Sequence, residues 1–139
     1  MTDFQQRVEQ RLRTETFAWL TTVGRDGTPQ PNLVWFVWEP ADDDQGTILI
    51  YNRADAARLG HIRRNPRVSL NFNSASDGGD IVVVTGEAEI LTDHPAAADF
   101  PPYAEKYRDG ITRISGDPER FSAEYPVPLR VRVTRVRGF

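Results

Sequence analysis

The stretch NLVWFVWE, residues 32–39, decides the fold because it is apolar at both alternating positions of a predicted strand. Each face of that strand carries three apolar side chains, Val34, Phe36 and Trp38 on one and Leu33, Trp35 and Val37 on the other. A solvent-facing antiparallel strand alternates apolar with polar residues. We therefore expect this strand to be covered on both sides.

Neighbouring stretches predict further strands of the same sheet. TFAWLTTVG (16–24) is rich in β-branched and aromatic residues, and the Asp-Gly signal in GRDGTPQ (24–30) predicts a hairpin turn. The other predicted strands are TILIYN (47–52), RVSLNF (67–72), IVVVTGEAEIL (81–91) and PLRVRVTRVRGF (128–139). The last strand changes its alternation at Arg135, which indicates a β-bulge.

Helices are predicted at three places. Residues 3–13 carry Phe4, Val8 and Leu12 on one stripe, with Asp3 as the N-cap. A second helix runs over about residues 55–65 and ends before Pro66, and the Pro-rich stretch 92–126 predicts two or three short helices.

Six strands of this length suit closure into a small antiparallel barrel. The predicted class is therefore mainly β with peripheral helices, in a single domain over residues 1–139. The apolar area of Trp35, Trp38, Val82 and Val84 is large for short helices to hide. We expect a homodimer through the outer barrel face to cover it.

Composition excludes several classes of protein. The chain has no cysteine, so disulfides, iron-sulfur clusters, thiolate zinc sites and a cysteine nucleophile are excluded. A net charge of −3 argues against general nucleic-acid binding. No apolar run is long enough to span a membrane, and the start, MTDFQQRVEQRLR, lacks the features of a signal peptide, so we expect a cytoplasmic protein.

Common catalytic motifs are also missing from the sequence. His61 and His94 are the only histidines and have no ligand-like spacing, so no metal site is predicted. There is no G-x-S-x-G elbow, no G-x-G-x-x-G and no P-loop. The acidic run at residues 42–44 is interpreted as a solvated loop.

The arginines at residues 53–67 divide into two groups. Arg53 closes a predicted strand and Arg58 lies in the first turn of the following helix, where an anion is favoured. The alternative for both is a surface salt bridge to the acidic loop. Arg63 and Arg64 lie near the helix C-terminus, where cations offset the helix dipole.

The succession DGTPQPNLVWFVW, a basic helix, NPRVSLNF and VVVTGEAEIL resembles the pyridoxamine 5′-phosphate oxidase-like superfamily of split β-barrel flavoproteins. Within it, GHIRRNPRVSLNF and the ending YPVPLRVRVTRVRGF resemble the actinobacterial group of F420-dependent enzymes. The resemblance implies a homodimeric FMN-binding split barrel, with a flavin or deazaflavin at the dimer interface.

The resemblance also implies a set of cofactor-binding residues. The ring is expected to lie along the strand at Asn32, Leu33, Val34, Trp35 and Phe36 and beside the strand end at Tyr51 and Asn52. Arg53 and Arg58 are expected to meet the phosphate. FMN-binding oxidases begin the next helix with Ser-Arg-Lys, which fall on Ala56, Ala57 and Arg58, and their glutamine falls on Ile81.

Two of the three residues of this helix start, which binds the FMN phosphate in those oxidases, are thus replaced by alanine. The resemblance therefore favours F420 as cofactor, with FMN as the alternative. The predicted function is an F420-dependent oxidoreductase that transfers hydride from the reduced deazaflavin to a conjugated small molecule. One alternative is an FMN- or F420-binding carrier without turnover. Another is an FMN-dependent oxidase of the pyridoxamine-phosphate type. No catalytic side chain is predicted, and neither nucleic acid nor membrane is expected as a partner.

Overall fold

A curled antiparallel sheet carries the fold. In the computed structural model, which describes residues 2–42 and 45–139, this sheet contains seven strands. They are β1 Ala18–Val23, β2 Pro29–Val34, β3 Val37–Glu39, β4 Thr47–Asn52, β5 Arg67–Asn71, β6 Val82–Ile90 and β7 Val127–Gly138. The strand order is β2-β1-β5-β6-β7-β4-β3, so β2 and β3 are the two edges of the sheet. The predicted split-barrel class, mainly β with peripheral helices, is confirmed.

The prediction of six strands is wrong, because the stretch after Pro31 contains parts of two strands rather than one. β2 ends at Val34 and β3 begins at Val37. The two residues between them, Trp35 and Phe36, join opposite edges of the sheet, and we call them the seam. An uninterrupted apolar run does not reveal such a break, since Phe36 is buried and Trp35 is half-buried at the break itself.

Side chains of the helical region satisfy the main-chain groups of the seam. The N–H of Phe36 donates to the Tyr107 hydroxyl oxygen at 2.8 Å, and the carbonyl of Phe36 accepts from Lys106 Nζ at 2.9 Å. The Tyr107 hydroxyl also lies 2.8 Å from the carbonyl oxygen of Phe36 and 2.9 Å from that of Thr16, either of which can accept its proton. The seam is therefore held by the helices instead of by strand pairing.

The helices lie around this sheet. They are α1 Asp3–Thr14, α2 Ala57–Arg64, α3 Pro101–Lys106, α4 Arg108–Ser115 and α5 Pro118–Glu124, with a 3₁₀ turn at Ala97–Asp99. The N-cap of α1 is Thr2, which corrects the assignment of this role to Asp3. Thr2 Oγ1 accepts from the Gln5 N–H at 3.1 Å, and Gln5 Oε1 accepts from the Thr2 N–H at 2.8 Å. This reciprocal pair satisfies two main-chain donors at once.

Buried apolar side chains form two clusters within the described residues. The first fills the barrel interior and includes Leu20, Phe36, Val82, Val84 and Leu129. The second lies between the outer face of β3 and β4 and the helices, and consists of Val37, Leu49, Tyr51, Ala97, Tyr103, Tyr107, Ile111 and Phe121. Trp35 packs against this second cluster. Helices of the same chain thus cover Trp35, whereas we predicted from the sequence that a second copy of the chain covers it.

The bulge predicted in the last strand is present. Thr85 of β6 pairs with Arg135 and Gly86 pairs with Val133, so Thr134 is the extra residue. A Cβ on Gly86 would overlap the carbonyl oxygen of Arg132, which explains glycine at this point of close approach.

Two further predictions concern the acidic run and a membrane-spanning helix. Asp43 and Asp44 of the acidic run lie outside the described residues. Across residues 2–42 and 45–139, no helix has both the length and the apolar character needed to cross a membrane.

Candidate cofactor site

A narrow cleft lies where the end of β2, the start of α2 and the helices α4 and α5 meet. Its volume is about 150 Å³. Five of the predicted cofactor-binding residues line it, namely Leu33, Val34, Trp35, Tyr51 and Arg58. The other lining residues come from the helical side, namely Tyr103, Ile114, Phe121 and Tyr125. We call this space the Arg58 cleft.

Arg58 supplies the positive charge of the cleft. Its Nε donates to Asn52 Oδ1 at 2.7 Å, and its side chain is half-buried. Among the described residues, no carboxylate pairs with its guanidinium and no acceptor bonds to its terminal nitrogens. Burial lowers the pKa of Arg58, because it penalises the charged form of the guanidinium. An anion in the cleft would compensate this charge in bidentate form.

Asn52 fixes the direction of this guanidinium. It is fully buried, and its Nδ2 donates to the carbonyl oxygens of Ile50 at 3.1 Å and Val127 at 2.9 Å. With both amide protons used in this way, Oδ1 is left to accept from Arg58. Asn52 therefore acts through Arg58 as a positioning residue and does not line the cleft itself.

Trp35 forms one wall of the cleft. Its indole stacks on Tyr107 with a centroid distance of 4.7 Å and an interplanar angle of 1°, and on Phe121 at 5.7 Å. It also packs closely on Gly110, where a Cβ would lie 2.7 Å from Trp35 Cη2. These contacts hold the ring in one orientation and make it a fixed flat surface.

Tyr51 forms a second aromatic wall. Its hydroxyl donates to the Pro95 carbonyl at 2.7 Å, and its ring meets Tyr103 edge to face at 4.7 Å. Burial raises the pKa of Tyr51, so the hydroxyl stays protonated at neutral pH. It therefore adds no negative charge opposite Arg58.

Three predicted site residues lie outside the cleft besides Asn52. Asn32 is exposed on the edge strand β2. Phe36 is buried in the barrel with its ring 5.7 Å from Phe72, and its main-chain groups are used by the seam. Arg53 is exposed, and its Nε lies 3.4 Å from Asp55 Oδ1. The cleft thus brings together side chains of β2, β4 and α2, but it does not include Asn32, Phe36 or Arg53.

The start of α2 offers few side-chain groups that could bind an anion. The helix begins at Ala57 rather than at residue 55, with Ala56 as an N-cap that makes no side-chain hydrogen bond. Arg63 and Arg64 are exposed in the last turn. Two arginines of β7 are paired across the sheet, Arg130 with Glu39 at 3.5 Å and Arg132 with Glu87 at 2.8 Å.

Lys106, Tyr107 and Phe121 contribute to the region around the cleft, and sequence reasoning missed all three. They lie in the Pro-broken stretch whose helices show no clear apolar stripe in the sequence. One signal was available, because Lys106 is the sole lysine of a chain with sixteen arginines.

The curled sheet with its edges joined at the seam, and the cleft beside it, define a split-barrel protein with a half-buried arginine next to aromatic walls. The chain belongs to the Pyridoxamine 5′-phosphate oxidase family, whose sequence profile matches residues 4–138. No curated protein matches it significantly.

Solved structures of other proteins share the fold. An F420 reductase is 24% identical, with 93% of this chain and 94% of the other covered and a TM-score of 0.70. General stress protein 26 from Bacillus anthracis strain Sterne is 16% identical, with coverages of 97% and 92% and a TM-score of 0.69. A FAD-binding protein from Mesorhizobium loti is 20% identical, with coverages of 95% and 89% and a TM-score of 0.62.

Proposed function

We propose that this chain is an F420-dependent oxidoreductase that transfers hydride from the reduced cofactor to a conjugated small-molecule acceptor. The observation that carries the proposal is the half-buried Arg58 guanidinium, which Asn52 holds toward a cleft with Trp35 and Tyr51 as aromatic walls. A cofactor that carries both an anionic phosphodiester and a flat ring matches this combination of charge and shape.

The start of α2 favours F420 over FMN in this proposal. Ala56 and Ala57 stand where FMN-binding oxidases carry a hydroxyl and a cation, and the N-cap makes no side-chain hydrogen bond. Arg58 is then the one charged residue of the described cleft lining. A phosphodiester carries a single negative charge, whereas the phosphate monoester of FMN carries up to two. A lone arginine suits the former better.

The protein's own share of the reaction is binding and orientation. Bound F420 would supply the hydride chemistry. Arg58 would hold the phosphodiester, and Trp35 and Tyr51 would shape the space beside the ring. No nucleophilic side chain is required. The cytoplasmic location remains a prediction.

A homodimer belongs to the proposal because the Arg58 cleft is too small by itself. Its volume of about 150 Å³ is below the roughly 300–1,000 Å³ usual for ligand pockets. An apolar patch adjoins it on the outer face of β1 and β2, where Phe17 is 45%, Trp19 37% and Leu33 48% exposed. Trp19 and Leu33 are cross-strand partners, and Leu33 belongs to both patch and cleft. A second copy on this patch would complete the site.

Trp19→Asp is expected to convert the dimer to a monomer at micromolar concentration, since it places a charge in the centre of the proposed interface. Light scattering after size exclusion should give twice the chain mass of 15.7 kDa for the wild type and one chain mass for the variant. Phe139→Asp, a change at a side chain that is 74% exposed, serves as the control and should remain dimeric. A monomeric wild type would contradict the dimer.

Cofactor titration tests the function directly. Purified protein is titrated with oxidised F420 and, separately, with FMN, and then assayed for oxidation of reduced F420 with enones, quinones and tetrapyrroles as acceptors. We expect micromolar or tighter F420 binding and at least about tenfold weaker FMN binding. Tight FMN binding without F420 binding would overturn the proposal. F420 binding without turnover on any acceptor would indicate a carrier, and hydrogen peroxide from pyridoxamine phosphate with FMN would indicate an oxidase.

A further inference from the structure

Lys106 lies in an unusual environment for a lysine. It is half-buried, and its Nζ donates to the Phe36 carbonyl at 2.9 Å. The same nitrogen stands 4.0 Å from the centroid of the Phe36 ring and 5.3 Å from that of Tyr107. Within the described parts of the chain, no carboxylate forms an ion pair with it. One hydrogen bond leaves two of the three ammonium protons without a protein acceptor there.

Burial is the main cause of a lowered pKa at this amine. It lowers the pKa of Lys106 to about 8, although the more distant Glu15 acts in the opposite direction. Lys106 is therefore still mostly protonated at neutral pH, and it carries a positive charge that the surrounding protein compensates poorly. A bound anion would stabilise this charge.

A second cleft opens at Lys106. It has a volume of about 380 Å³, within the usual range for a small-molecule pocket. Its lining includes Thr16, Phe17, Trp35, Lys106, Gly110 and Arg113. We call it the Lys106 cleft. Trp35 lines both clefts, so the two clefts are neighbours.

The charges around the Lys106 cleft leave an excess of one positive charge. Lys106, Arg108 and Arg113 face Glu105 and Asp109, which gives three cations against two anions. The four residues other than Lys106 are all exposed, where water screens their charges. The half-buried ammonium is therefore the strongest attraction for an anion in this cleft.

We propose that the Lys106 cleft is a binding site for a planar organic anion, whose charged group bonds to Lys106 Nζ while its flat part lies against Trp35 and Phe17. The aromatic side chains in the lining favour a flat ligand. A single half-buried ammonium favours a singly charged group such as a carboxylate. Phe17 also belongs to the patch proposed as the dimer interface, so a second copy would close this side of the cleft.

Affinity measurements on cofactor-free protein test the anion site. Calorimetric titrations compare 2-naphthoate with the neutral 2-naphthamide, which has the same ring. The wild type should bind naphthoate at least about tenfold more tightly than the amide. Lys106→Met should abolish this preference, and Lys106→Arg should keep most of it. Arg25→Met removes an exposed charge in the β1–β2 hairpin and should change nothing. Equal affinity of the wild type for both probes would overturn the proposal.

A second measurement needs no variant. Because Lys106 is the sole lysine, protein grown with lysine labelled with carbon-13 at Cε gives one side-chain resonance. Its titration should report a pKa of about 8 in the free protein and a higher pKa with saturating naphthoate, since a bound anion favours the protonated amine. A resonance that does not respond to naphthoate would reject the site.

The two proposals fail separately. F420 binding and turnover without a naphthoate response would leave the proposed function intact and refute the anion site. A naphthoate response at Lys106 without F420 binding would leave the anion site intact and refute the proposed function.

Discussion

Phe121→Ala is expected to lower the free energy of unfolding by about 3–5 kcal/mol, the usual range for deleting a buried phenylalanine. Phe121 is 2% exposed. Its ring stacks on Tyr125 with a centroid distance of 4.5 Å, and it packs against Trp35 at 5.7 Å and Tyr103 at 6.0 Å. These fixed neighbours cannot collapse into the space left behind, so the variant keeps a cavity.

Urea unfolding followed by circular dichroism measures this loss. Phe139→Ala is the matched control, because it removes the same ring from a position that is 74% exposed, and it should change stability by less than about 0.5 kcal/mol. A loss below about 1 kcal/mol for Phe121→Ala would contradict tight packing between the helices and Trp35. The variant also enlarges the Arg58 cleft, since Phe121 is part of its lining.

Arg58→Ala is expected to weaken cofactor binding by about 1.5–3 kcal/mol, or roughly 10- to 150-fold in Kd. The change removes the one cation of the described cleft lining. Fluorescence titration with F420 measures the effect. The variant should lose about 1 kcal/mol of stability without cofactor, because Asn52 Oδ1 loses its donor.

Arg63→Ala separates this effect from the general charge of α2. Arg63 is exposed on the same helix, does not line the cleft, and should leave cofactor affinity nearly unchanged. If Arg58→Ala and the wild type have the same Kd for F420, Arg58 does not contact the cofactor and the proposed phosphate contact is wrong. Equal losses in both variants would point to long-range electrostatics.

Local signals in the sequence predicted most of the sheet. The strand TILIYN is observed over the predicted residues, because β-branched residues and a following turn define both of its ends. The bulge was predicted within one residue, since an inserted residue shifts the alternation of every side chain after it. The position of Arg58 in the first turn of a helix was predicted correctly, whereas its role in binding an anion stays a prediction.

Features that depend on contacts between residues far apart along the chain could not be predicted from the sequence. Trp35 was assigned to a second copy because its cover comes from helices about 70 residues later, in a stretch without a clear periodic pattern. The role of Asn52 depends on Val127, which reaches it through the pairing of β4 with β7. The seam was missed for the same reason, since its partners are single side chains and not strands.

The seam has a consequence for the growing chain during translation. The partners of Phe36 lie 70 and 71 positions further along, so the ribosome completes both edge strands long before Lys106 and Tyr107 emerge. Throughout that interval the main-chain N–H and carbonyl of Phe36 lack these partners and can bond to other chains. We therefore expect nascent chains that end before Lys106 to aggregate more readily than the 139-residue chain.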